Sequence, residues 1–165
     1  MIDRTKQKSN LLQRLETGWP FFLVAVLVII ADQVSKSLIR SNMFLYESIP
    51  SDGIFRLTHV FNTGASFGLF QGQTVPLLIT AVIGIIALVL FFFYVPLQSR
   101  LLKMALGLQL GGAAGNLIDR VRLGGVTDFF DVGFWPVFNV ADSAVVIGVG
   151  LLILAFLLPS KKIEA

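Results

Sequence analysis

From Val75 to Leu97 the chain runs without a single charged residue. A helix rising about 1.5 Å per residue crosses a hydrocarbon core of about 30 Å in about 20 residues, so this run is long enough to span a bilayer. Three further stretches have comparable length and character: 19–38, 101–118 and 137–158. Of the 165 residues 55% are hydrophobic and 14% charged, whereas soluble domains carry about 25% charged residues. A single integral membrane domain over 1–165, with four spans, is expected. There is no cysteine and only one histidine, His59, which removes thiol nucleophiles, disulfides and the three or four ligands of a zinc site. No metal or organic cofactor is expected. The basic residues are scattered without forming a stripe, which argues against a nucleic-acid partner.

Four spans put both termini on one side, and the distribution of Lys and Arg selects that side. Arg4, Lys6, Lys8, Arg14, Arg100, Lys103, Lys161 and Lys162 face Asp3, Glu16 and Glu164 there. On the other side Lys36, Arg40, Arg56, Arg120 and Arg122 meet seven acids, from Asp32 to Asp142. Both termini are therefore expected in the cytoplasm. A cleavable leader is the competing reading of the first span, but Ile29 occupies the position before Ala31 where a small residue belongs.

Two unequal connections lie outside, at 41–73 and 120–136. In the longer, Phe55, Leu57, His59 and Phe61 alternate with Arg56, Thr58 and Val60 after a Ser51-Asp52-Gly53 turn, predicting a small β element. The shorter carries Phe129, Phe130, Phe134 and Trp135, an aromatic set suited to the membrane interface. Phe67 and Phe70, with the aromatic loop, are candidate walls of a cleft or plain interfacial anchors. The expected fold is thus membrane all-α, four transmembrane helices with a small extracytoplasmic β element.

Gly107, Gly111 and Gly115 recur at intervals of four, a packing ridge on one face of the third span whose next turn is Asp119. Asp119 has Arg120 beside it and Asn116 one turn earlier, a cation and a hydrogen-bond partner that favour a structural or positioning role. Asp128 and Asp142 have no cation within several residues. Two such acids brought within about 3 to 5 Å share one proton. One then takes a proton from water while the other polarises a carbonyl, which is peptidase chemistry. Each acid equally suits a helix cap or an interfacial water site. Asp119 remains the competitor for the seat of Asp128.

Five ordered blocks carry a resemblance. They are Asp32-Gln33-Val34-Ser35-Lys36, Asn62-Thr63-Gly64-Ala65-Ser66-Phe67-Gly68, the run Gly111 to Arg120 ending Asn116-Leu117-Ile118-Asp119-Arg120, Val126-Thr127-Asp128-Phe129, and Phe138-Asn139-Val140-Ala141-Asp142-Ser143. In these the chain resembles the lipoprotein signal peptidases of bacteria, the type II signal peptidases. The resemblance implies a membrane aspartic endopeptidase of the bacterial inner membrane, active near the outer leaflet. It implies cleavage of the signal peptide from prolipoproteins just before a diacylglyceryl-modified cysteine. Asp128 and Asp142 match the catalytic pair. Asn62, Gly64, Asn116, Asp119, Arg120, Asn139 and Ala141 match residues around the cleft, and Asp32 and Lys36 match the block ending the first span. Ser66 stands where the family more often has alanine, and the stretch between Asp128 and Asp142 is shorter than usual. The implied partners are a lipidated prolipoprotein and membrane lipids, with the protein itself a monomer.

Two other readings are open to the residues. Ser143 with Lys36 offers a serine-lysine site, although Lys36 better suits pairing with an acid. A proton-coupled transporter or channel would use the membrane acids as a relay, but the second span has none.

Overall fold

The computed structural model describes residues 14–64, 71–95, 97 and 99–157. Phe67, Phe70, Ser66 and the terminal basic residues Arg4, Lys6, Lys8, Lys161 and Lys162 lie outside them. Among the described residues four helices of membrane length carry the fold: α1 (Trp19–Asn42), α2 (Thr74–Tyr94), α3 (Arg100–Leu123) and α4 (Val140–Leu157). All four are long and apolar enough to cross a membrane. Three short strands, β1 (Ser48–Ile49), β2 (Arg56–Asn62) and β3 (Val126–Asp131), form an antiparallel sheet in the order β1-β2-β3.

Burial is inverted relative to a soluble protein. Val26, Leu27, Ile30 and Val34 of α1 are exposed, while the largest fully buried side chains include Lys36, Asn139, Thr127, Asp32 and Asp119. That distribution is stable only where apolar surface faces lipid and polar groups satisfy one another inside.

Small residues bring the helices together. A Cβ added at Gly107, Gly111 or Gly115 would stand 2.6 Å from the Phe21 carbonyl oxygen, 2.7 Å from that of Ala25 and 2.5 Å from Asp32 Oδ2. The glycine ridge read from the sequence therefore packs α3 on α1, and its continuation brings Asp119 to the polar face of α1. At the other end of the bundle the Phe21 and Phe92 rings stack with centroids 4.3 Å apart. Arg14 there donates to the carbonyls of Phe92 and Val95 at 3.4 and 3.0 Å, capping the free acceptors at the end of α2.

The third span is longer than expected. Helix continues through Asp119, Arg120 and Arg122 until Gly124, at φ 81°, stops it in the left-handed region and turns the chain into β3. The fourth helix starts at Val140, later than 137, so Asn139 caps it and does not lie in its first turn. The shorter outer connection is not only an aromatic loop: its residues 126–131 pair with β2, from Arg56↔Asp131 to Asn62↔Val126. The two outer connections thus form one sheet. A bulge between Leu57 and Val60 breaks the simple alternation expected for β2 and bends the strand.

Candidate active site

The site grows from the spacing of polar residues on α1. Asp32, Lys36 and Arg40 recur every four residues and so share a face turned toward α3. Lys36 Nζ lies 2.8 Å from Asp32 Oδ2 and 3.5 Å from Asp119 Oδ2, and it donates to Asn116 Oδ1 at 2.8 Å. Asp32 Oδ1 accepts the Ala141 backbone N–H at 3.0 Å, tying α1 to the first turn of α4. Lys36 and Asp32 are both 0% exposed. Removing one partner of such a buried pair leaves an uncompensated charge, at a cost of about 3–5 kcal/mol.

Asp119 accepts from Gln33 Nε2 at 3.0 Å and from the Thr127 backbone N–H at 3.2 Å. Arg40 stands 3.8 Å from it and also donates to Thr127 Oγ1 at 3.0 Å. The side chain that donates a hydrogen bond to Asp119 is thus Gln33 rather than the expected Asn116, because Asn116 is engaged with Lys36, Asn139 and Asp142.

At the start of α4, Asp142 N–H donates to Asn139 Oδ1 at 2.9 Å and Asn139 N–H donates to Asp142 Oδ2 at 3.3 Å. This reciprocal capping box explains why the helix begins here. The other oxygen of Asp142 accepts from Asn116 Nδ2 at 2.8 Å. Asn139 Nδ2 donates to Asn116 Oδ1 at 3.1 Å and to Asp128 Oδ1 at 2.6 Å, and Asn62 Nδ2 donates to Asp128 Oδ2 at 3.0 Å. Asp128 and Asp142 therefore belong to one network, joined through Asn116 and Asn139. Burial, together with the charge of Asp142, pushes the Asp128 carboxyl up to about 7, against the pull of hydrogen bonds from Asn62 and Asn139 and the charge of Lys36.

The remaining candidates frame this pair. Gly64 N–H donates to Asn62 Oδ1 at 2.9 Å, and Arg120 Nη2 donates to the Gly64 carbonyl at 3.3 Å. Ser143 Oγ donates to the Asn139 carbonyl at 2.9 Å, while Lys36 is engaged with Asp32, Asn116 and Asp119, so the serine-lysine arrangement does not form. Gln33, Arg40 and Thr127 were not singled out from the sequence. The four-residue step from Lys36 was the available signal for Arg40. Beside the network, a cavity of about 770 Å³ opens between α2, α3 and α4, lined by Leu77, Gly84, Leu88, Ala113, Arg120 and Val145 among others.

Four membrane-length helices closing on a buried carboxylate and asparagine network define a polytopic membrane protein with a polar site at the junction of bundle and sheet. The family described as Signal peptidase (SPase) II matches residues 24–158. The lipoprotein signal peptidase of Moorella thermoacetica is 47% identical over 144 residues, covering 87% of this chain and 96% of the relative. That of Dehalococcoides mccartyi is 48% identical over 142 residues, covering 83% and 89%. A solved bacterial membrane enzyme superposes with a TM-score of 0.79 at 38% identity, covering 88% of this chain and 92% of its own. A second superposes at 0.76, also 38% identical, covering 85% and 94%. The chain belongs to the signal peptidase II family, and is thus a peptidase of the bacterial membrane.

Proposed function

We propose that the chain is an aspartic endopeptidase that removes the signal peptide of prolipoproteins, with Asp128 and Asp142 as its catalytic pair. The observation that carries this reading is the Asn116–Asn139 link, which ties both carboxylates into one buried network. Asp142, in the first turn of α4, has the positive end of the helix dipole to favour its charge, and Asp128 holds the proton. The charged carboxylate takes a proton from water as the water oxygen attacks the scissile carbonyl, and Asp128 donates to the carbonyl oxygen. The C–N bond then breaks and the amine leaves with a proton from the pair. Asn62, Asn116 and Asn139 orient the carboxylates, Asp32 and Asp119 anchor the helices that bear them, and Arg120 with Gly64 borders the cleft.

The apolar cavity between α2, α3 and α4 receives the membrane-embedded part of the substrate, so a lipidated chain is cut without leaving the bilayer. Cleavage falls on the N-terminal side of the diacylglyceryl-cysteine. Both termini face the cytoplasm, the site lies near the outer leaflet, and the working unit is a monomer. Purified protein incubated with a lipidated prolipoprotein yields two products, and mass spectrometry places the new N-terminus at the lipidated cysteine. A cut elsewhere, or none, rejects the reading. The transporter alternative finds no acid on α2 and a largely apolar cavity beside it.

The protonation of Asp128 sets a pH dependence. Below about 7 its carboxyl holds the proton; as pH rises through that value both acids become charged and no donor remains. The expected kcat/KM therefore falls on the alkaline side of about pH 7. A profile that stays flat well above that pH would contradict Asp128 as the acid.

A further inference from the structure

Lys36 is fully buried, and beyond the through-space pull of its charge on Asp128 the mechanism above gives it no part. Asp32, 2.8 Å away, is enough to balance its charge. The second short contact, from Nζ to Asn116 Oδ1 at 2.8 Å, is not explained by charge balance. Asn139 Nδ2 donates to the same oxygen at 3.1 Å, so two donors converge on the acceptor end of one amide. Its donor end then has one direction left, toward Asp142 Oδ1, which it reaches at 2.8 Å.

A flipped amide would set its NH2 against the Lys36 ammonium and the Asn139 amide, donor against donor. It would also press its oxygen on the Asp142 carboxylate, acceptor against acceptor. In a buried site each such mismatch forfeits a hydrogen bond and leaves polar groups unpaired. We infer that Lys36 is a positioning residue: by holding the Asn116 oxygen it aims the Asn116 N–H at Asp142 and fixes the direction in which that carboxylate meets water. The inference rests on Asp128 and Asp142 being the catalytic pair. Lys36 touches neither of them directly; Asn116 is the intermediary.

The test is a mutant cycle on the full chain in lipid, read as kcat and KM on a lipidated prolipoprotein. Asp32→Asn with Lys36→Met removes both charges of the ion pair, so neither is left buried alone, and the amide at position 32 keeps an oxygen to accept the Ala141 N–H; Asn116→Leu removes the intermediary. Each is expected to lower kcat by roughly 100-fold, the cost of misplacing a reacting group by about 1 Å, with KM little changed. If Lys36 acts through Asn116, the combined variant is no slower than Asn116→Leu alone. Losses that multiply, or that fall on KM, overturn the inference.

Should the paired variant not fold, Lys36→Arg replaces it in the cycle, since the guanidinium keeps the charge opposite Asp32. Near-normal turnover, or a loss seen only when Asn116 is present, supports the role, whereas an equal loss with and without Asn116 overturns it. Failure of the underlying reading looks different: the unmodified chain then cuts nothing, or Asp128→Asn cuts normally.

Discussion

Asp128→Asn and Asp142→Asn each reduce kcat by roughly 100- to 10,000-fold, the range over which a positioned acid or base contributes. The two losses do not add, because the pair acts as a unit on one proton. Both variants keep the size of the side chain, but each introduces an NH2 where the network offers donors. At position 128 it meets the amides of Asn62 and Asn139, and at 142 those of Asn116 and the Asn139 backbone. A stability loss of about 1–3 kcal/mol is expected from the unpaired groups, so turnover is measured per folded molecule after thermal unfolding in detergent. Asp119→Asn supplies the contrast. Its carboxylate is spent on Gln33, Lys36, Arg40 and the Thr127 N–H, and the substitution weakens the fold while the folded fraction still cuts. If folded Asp119→Asn were inert and Asp128→Asn active, residue 119 would take the seat assigned to 128.

The parts of this molecule legible in its sequence are those governed by a fixed period. Rise per residue locates the four spans, and the interval of four carries Gly107, Gly111 and Gly115 onto the face that meets α1 and ends at Asp119. The reading fell short where partners are remote. Asn62 and Asp128 are 66 positions apart, and nothing local in residues 126–131 announces that they pair with β2. Helix α3 runs past the point where hydropathy ends because Asn116 and Asp119 find partners on α1 and α4. A scale that charges each polar residue its full cost of leaving water cannot anticipate that. The neighbouring Arg120 does feel the charge of Asp119, but successive residues on a helix point about 100° apart, and the cations in ion-pair contact with Asp119, Lys36 and Arg40, come from α1.

Gly112→Val is expected to cost both stability and turnover, for a geometric reason. An added Cβ at Gly112 would collide with the Ala141 carbonyl oxygen and come within 2.7 Å of Val145 Cγ2, and neither the backbone at the start of α4 nor a packed valine can yield without moving the helix. Overpacking of this kind costs about 1–3 kcal/mol. The displaced segment is the one that holds the capping box of Asn139 and Asp142 and the Ala141 N–H bonded to Asp32. A shift of about 1 Å there separates Asp142 from Asn116 and lowers kcat by roughly 100-fold, although residue 112 itself touches no reacting atom. Gly150→Ala on the same helix α4 is the control, since its added Cβ meets nothing within 4 Å. Relief of the glycine penalty there is worth up to about 1 kcal/mol in helix stability, with turnover unchanged. Equal behaviour of the two variants in thermal unfolding and cleavage would mean that close α3–α4 packing does not hold the carboxylate in place.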